Sequence, residues 1–195
     1  MFWADRLDMT ATAVILVLSW LIFVGYWAVA AFNVKRTLER RADWLRVAVF
    51  LVVALGVALL RTRFGRAIDP FVLPRSLPVR VVADVMGVAG VVILLWARTV
   101  LGGNWSGAVT LKENHELIER GPYACVRHPI YSGLMLLGLG TAVHYATLGG
   151  FVLLVMVWIG FAMKMRQEEQ LMTEHFPDRY PAYRARVRAI VPFVL

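Results

Sequence analysis

Charged and apolar positions along this chain fall into long blocks instead of the close alternation of a water-soluble fold. Residues 9–33 contain no Asp, Glu, Lys or Arg. At about 1.5 Å per residue, a helix over this stretch crosses a hydrocarbon core of about 30 Å. Asp5, Arg6 and Asp8 precede it. They do not make the basic leader of a signal peptide, and the apolar stretch is too long for one. The pattern predicts an uncleaved first transmembrane helix. Residues 47–60 form a second apolar run, lengthened by Trp44 and Leu45 if Arg46 snorkels. It reads as a short span, with a re-entrant helix as the alternative. Residues 81–101 predict a third helix, with Asp84 and Arg98 near its ends and Gly102-Gly103-Asn104 as its break. Residues 129–163 again carry no charge. One helix of that length would measure about 50 Å, too long for a bilayer. Turn residues in 144–150 divide it into a helical hairpin of two short spans.

The connecting segments are polar and mostly basic. Lys35, Arg36, Arg40, Arg41 and Arg46 follow the first apolar run, which places that loop on the cytoplasmic side. Residues 61–80 carry Pro70, Pro74, Pro78 and five arginines. Residues 105–120 are amphipathic and suit the membrane surface. From Lys164 to Arg188 the chain is charged, with a membrane-proximal helix to about His175, a break at Pro177 and a second short helix. The expectation is an all-α integral membrane protein of about five transmembrane helices, amino terminus outside and carboxyl terminus inside. It forms a single membrane domain over 1–195, with amino-terminal spans in 1–101 and a catalytic half in 102–195. In this topology the 61–80 loop falls outside although it is as basic as the first loop. A re-entrant second run would return it to the inside.

Composition narrows the class. The chain is 59% hydrophobic and carries a net charge of +8. Its basic residues flank apolar runs, so they read as topology signals and partners for anionic headgroups, with no nucleic acid implied. The one cysteine, Cys125, excludes an internal disulfide, and no CxxC or HExxH metal pattern is present. Gly138-Leu139-Gly140 lies inside an apolar run without a preceding strand. Close helix packing explains it better than a dinucleotide fingerprint.

The densest polar segment is 113–131, which holds two of the four histidines and Cys125. Gly121-Pro122 marks a turn, and Pro129 suits the first turn of a helix. Arg127-His128 therefore sits where a polar loop enters a membrane helix, a costly depth for ionisable groups. The hairpin returns the chain to the same face. It brings Tyr123, Arg127, His128 and Tyr131 near Lys164, Arg166, Glu168 and Glu169. Lys164 and Glu168 are four residues apart and share a helix face. Taken singly, these residues also suit a solvated helix face, interfacial anchors and an aromatic belt. Cys125 has no dedicated partner nearby, His144 falls in the far turn, and His175 lies in the tail.

Taken together, Gly121-Pro122-Tyr123, Arg127-His128-Pro129-x-Tyr131, Glu168-Glu169, Phe176, Tyr180, Tyr183, Val187 and Pro192 make a spaced pattern. It resembles the isoprenylcysteine carboxyl methyltransferase family, which is related to the membrane phospholipid N-methyltransferases. The resemblance covers roughly 105–192. It implies S-adenosyl-L-methionine as methyl donor, in a pocket facing the cytosol and capped by the loop and the tail. The family's cofactor-contact positions fall on His115, Glu116, Leu117, Ile118, Tyr123, His128, Pro129, Ile130, Tyr131 and Glu168. Lys164 and Arg127 are the candidate catalytic cations. Lys164 stands where the family usually has an arginine, and keeps the charge without the bidentate fork. Pro177 stands where the family commonly has glycine.

The reading that follows is a multi-pass membrane enzyme. It methylates a lipophilic acceptor that enters from the bilayer, an isoprenylcysteine-type carboxylate. A carboxylate acceptor needs only a cation to orient it. An amine acceptor must first lose a proton, which would make Glu169 or a water relevant. The alternatives are a phospholipid amine N-methyltransferase, an NADPH-dependent membrane reductase, and a non-catalytic membrane scaffold.

Overall fold

The computed structural model describes residues 2–40, 44–62, 65, 68–106, 110–113 and 116–191. Five long helices carry the fold: α1 (Phe2–Ala30), α2 (Trp44–Arg61), α3 (Leu77–Leu101), α4 (Pro129–Tyr145) and α5 (Leu148–His175). A short α6 (Tyr180–Arg186) follows. Among the described residues, three segments are long and apolar enough to cross a membrane: Thr10–Ala30, Leu77–Asn104 and Leu148–His175. With α2 and α4 at 18 and 17 residues, those helices are shorter. The protein is built for a bilayer: Val81, Val82, Val85, Val88 and Val92 of α3 face outward, while Arg80, Asp84 and Arg98 of the same helix are buried. Such an inverted pattern is stable where lipid covers the outer face.

Helix ends follow local chemistry more closely than hydropathy. α3 starts four residues before the predicted position because Pro78 occupies its first turn behind Ser76. α1 begins near Phe2, so its first turns include the charged residues ahead of the apolar run. The hairpin turn is two residues long. Ala146 adopts the left-handed conformation that ends α4, and Thr147 caps α5, its hydroxyl accepting from the Gly150 amide. Asp69 Oδ1 accepts from the Gly149 amide at 2.7 Å, capping α5 from a distant loop.

Two hydrogen-bonded junctions fix the direction of every helix. At one end, Leu148 N–H donates to Pro70 O and Val72 N–H to Ala146 O, joining the segment after α2 to the hairpin turn. At the other end a two-stranded antiparallel ribbon pairs β1 (Thr37–Arg40) with β2 (Thr110–Lys112). Lys35 N–H donates to Gly103 O there, and Glu113 N–H to Arg36 O. The first basic loop and the polar segment after α3 therefore share one end. α2 lies in the chain between these two junctions. The described parts of residues 105–120, expected at the membrane surface, are the ribbon strand and irregular segments.

α3 lies at the centre. Arg98 at its site end donates through Nη1 to Gly102 O at 2.5 Å and through Nη2 to Ala30 O at 2.6 Å. One buried guanidinium thus caps the carboxyl ends of α1 and α3. α4 packs against α3 with glycines facing backbone. A Cβ on Gly90 would meet Leu137 N at 2.7 Å, one on Gly133 would meet Gly90 O at 2.8 Å, and one on Gly140 would meet Ala83 O at 2.6 Å. The Gly138-Leu139-Gly140 step is thus a packing device, as its sequence context suggests.

Gly140→Ala and Gly90→Ala should each destabilise the folded protein by about 1–3 kcal/mol through overpacking. Gly25→Ala is the control, because a Cβ there meets nothing within 4 Å, and helix propensity then favours alanine. Thermal unfolding in detergent separates the two outcomes; a Gly140→Ala variant as stable as wild type would show that the seam opens without cost.

Candidate functional site

The hairpin delivers what its topology requires. Residues 116–128 and 164–191 meet at the end of α4 and α5. Backbone joins them first: Arg127 N–H donates to Arg188 O at 2.7 Å and His128 N–H to Ala189 O at 2.9 Å, beside a parallel bridge between Val126 and Arg188. Ser132 Oγ donates to Ile190 O at 2.7 Å. The tail after α6 is thus zipped along the entry to α4. Tyr183 Oη donates to Tyr123 O at 2.6 Å, and Leu117 packs against the buried cluster of Tyr180, Tyr183 and Val187.

Glu168 and Glu169 are adjacent in sequence but about 100° apart around α5, so they face different partners. Glu169 points into the loop–tail junction. Its Oε1 accepts from Arg127 Nε at 2.9 Å, Arg127 Nη2 at 2.7 Å and His128 Nε2 at 3.1 Å; Arg184 Nε lies 3.3 Å from Oε2. A carboxylate only accepts, so Nε2 is the protonated nitrogen of His128 in this contact. Arg127 also donates through Nη1 to the Val187 and Arg184 carbonyls. Its side chain and that of Glu169 are 10% and 12% exposed. Arg127, proposed from sequence as a catalytic cation, is thus committed to Glu169 and the tail backbone. Glu169, a possible proton acceptor for an amine, has its acceptor positions filled by cations.

Glu168 looks the other way. Tyr131 Oη donates to Oε1 at 2.8 Å, and Lys164 Nζ lies 3.6 Å from the same oxygen and over the Tyr131 ring. Oε2 is 3.7 Å from His128 Nδ1, beyond hydrogen-bond range. One carboxylate oxygen therefore keeps acceptor capacity, at a side chain 26% exposed. Tyr123, near enough for the Glu168 charge to act on it, is buried, and its hydroxyl has no hydrogen-bond partner among the described residues. Burial, then the charge of Glu168, pushes the Tyr123 phenol well above its ordinary range, so it stays a neutral donor. Burial does the same to Tyr180 and Tyr183. A buried hydroxyl with no partner among the described residues and a carboxylate with spare acceptor capacity are polar groups that need an explanation.

The other sequence-predicted positions distribute around this set. Pro129 is fully buried as the first residue of α4, and Ile130 packs toward the core of Val91, Leu94 and Leu137. Leu117 and Ile118 are half-buried and Glu116 is exposed. His115 lies outside the described residues. Sequence reasoning did not assign a role to Arg98, although a basic residue one turn before a Gly-Gly break is a helix-end signal. It also missed Glu119, whose partners lie in α6 and just before it and are invisible to local pattern.

Comparison with known proteins adds to this geometry. A probable protein-S-isoprenylcysteine O-methyltransferase of Oryza sativa subsp. indica is 28% identical over 89% of this chain and 92% of its own length. Protein-S-isoprenylcysteine O-methyltransferase B of Arabidopsis thaliana is 36% identical over 43% of each chain. The Schizosaccharomyces pombe protein-S-isoprenylcysteine O-methyltransferase is 34% identical over half of this chain. The matched region spans 43% of the length of both the Arabidopsis and the fission yeast proteins. Residues 83–174, which run from α3 through the loop and hairpin to the paired glutamates, match the family profile itself. That profile is the isoprenylcysteine carboxyl methyltransferase (ICMT) family, which this part of the chain is similar to.

Proposed function

We propose that this protein is an S-adenosylmethionine-dependent methyltransferase of the membrane, acting on the carboxylate of an isoprenylcysteine-type acceptor. The observation that carries the reading is Glu168, with one oxygen held by Tyr131 and the other lacking a hydrogen bond, together with the Tyr123 hydroxyl, unpartnered among the described residues. These groups suit the hydroxyls and ammonium of the methyl donor. Tyr131, His128 and Pro129 supply the wall, with Ile130, Leu117, Ile118, Glu116 and His115 as the further donor contacts that family resemblance assigns. When bound, S-adenosylmethionine supplies a methyl group already activated on a sulfonium.

The protein's task is then positioning. Lys164 is the cation that orients an acceptor carboxylate, and Tyr131 and Glu168 hold its ammonium in place. A carboxylate acceptor also fits the surrounding bases. An amine would have to surrender a proton, and Glu169 and His128 Nε2 are already tied to each other and to arginine. Arg127 acts here as a positioning residue through Glu169. The catalytic half is 102–195, with α3 supplying Arg98 beneath it.

The chain is read as multi-pass with its site facing the cytosol. Most of its lysines and arginines lie in the segments that meet at the site end, which follows the positive-inside rule. The donor is polar and reaches Glu168 from water. The prenyl chain of the acceptor is apolar and reaches Lys164 from the bilayer.

The two glutamates should separate in experiment. Glu168→Ala should weaken S-adenosylhomocysteine binding about 10- to 100-fold, the loss of one or two hydrogen bonds to a charged group, with little change in unfolding temperature. Glu169→Ala should instead destabilise the fold by about 3–5 kcal/mol, since it strands Arg127. Calorimetric titration and thermal unfolding of detergent-solubilised protein measure both. No binding of either donor species by folded wild-type protein in lipid would sink the methyltransferase reading.

Lys164→Ala should chiefly lower kcat/KM for a prenylcysteine acceptor, and Lys164→Arg should restore it. Unchanged turnover would remove Lys164 from the site. Methylation of lipid amines but not prenylcysteine would replace the acceptor class.

A further inference from the structure

The segment that leads into α4 is fastened to the tail along two lines of unequal strength. The inner line is buried and continuous: the Arg127–Glu169 pair, and the backbone bonds from 127 and 128 to 188 and 189. The outer line is Glu119. Its Oε1 accepts from Arg179 Nη2 at 3.1 Å, and its Oε2 from Arg186 Nη2. These arginines bracket α6, and their side chains are 65% and 62% exposed. One carboxylate therefore grips the tail helix at both ends.

Exposed ion pairs contribute little and are screened by salt, whereas a buried pair is costly to break. Between the two lines, Leu117 rests on the Tyr180–Tyr183–Val187 cluster. At the inner end of the segment the chain turns through Gly121, at φ +61°. A side chain there would be strained in that conformation and would meet Val100 Cγ2 at 3.1 Å. The strand β2 ties down the chain on the other side. Residues 116–120 are thus the weakly held stretch between firm attachments.

We propose that Glu119 is a positioning residue that latches residues 116–120 onto α6, and that opening this latch is how the donor and its demethylated product exchange with water. The proposal rests on the methyltransferase reading, because Glu116, Leu117 and Ile118 are donor contacts only within it. Nothing in the resemblance or the sequence pattern gives Glu119 a role. The latch makes donor affinity sensitive to salt although Glu119 touches no reacting atom. It also separates the two ligand routes, since the outer edge opens toward water and leaves the bilayer side closed.

Two arms test this. In the first, no ligand is present. Spin labels at 116 and 182, in a Cys125→Ser background, report the loop-to-α6 distance in the full chain. Glu119→Gln should raise the population at long distance about 3- to 10-fold. Salt at about 1 M, where the Debye length is about 3 Å, should do the same to the unsubstituted protein. In the second arm, Glu119→Gln should speed S-adenosylhomocysteine release by a similar factor and raise donor KM without lowering kcat. The triple exchange Glu119→Arg, Arg179→Glu, Arg186→Glu should restore both. An unchanged distance distribution in Glu119→Gln would overturn the latch whatever the binding data show. Failure of wild-type protein to bind S-adenosylhomocysteine would defeat the methyltransferase reading, and the latch as an exchange route with it; the distance arm alone tests the contact.

Discussion

The buried pair of Arg127 and Glu169 is the contact on which the site's geometry depends. Neither charge tolerates that depth alone, and each is satisfied only because the other is there. Arg127 belongs to the loop and Glu169 to the end of the hairpin, so their pairing registers two segments that the chain separates by both hairpin helices. Arg127 then spends its remaining donors on tail carbonyls, which draws a third segment in. With Glu169 so occupied, its neighbour Glu168 turns to Tyr131 and Lys164. The helical twist thus gives the two adjacent acids different partners, Glu169 the loop–tail junction and Glu168 the Tyr131–Lys164 side of α5.

The glycine seam between α3 and α4 does comparable work deeper in the protein. No hydrophobic drive holds two apolar helices together within lipid, so association comes from close packing. Gly90, Gly133 and Gly140 permit backbone contact that any side chain would prevent. The buried Arg98 extends this order to α1 by capping two helix ends at once. The floor of the site is therefore rigid for reasons unrelated to the chemistry above it, while its cover is held by weaker and more exposed contacts.

Much of this was legible from residue order. The uncharged run of 129–163, interrupted by turn formers, is a hairpin by length alone, and it correctly brought 123–131 to 164–169. The break at Pro177 and the short helix beyond it also read directly. Helix starts were less legible, because Pro78 and the charged residues ahead of the first apolar run are helical despite their hydropathy. The ribbon between Thr37–Arg40 and Thr110–Lys112 was not legible, since strand pairing across that distance leaves no local period. The division of labour between Glu168 and Glu169 was hidden for a related reason. It depends on which face of α5 meets the loop, and periodicity in a short charged run does not say.

The backbone ladder from 126–128 to 188–190 also has a consequence for biogenesis. Both hairpin helices and α6 intervene between the two edges of that ladder, so it cannot form until residues 188–190 have been made. Ribosome and insertion machinery must have released Ile190 before Ser132 finds its partner. A nascent chain therefore carries Arg127 without its counter-charge until Glu169, near the carboxyl end of α5, has been made. The contacts that join residues 188–190 to the entry of α4 are therefore formed after the hairpin that they fasten.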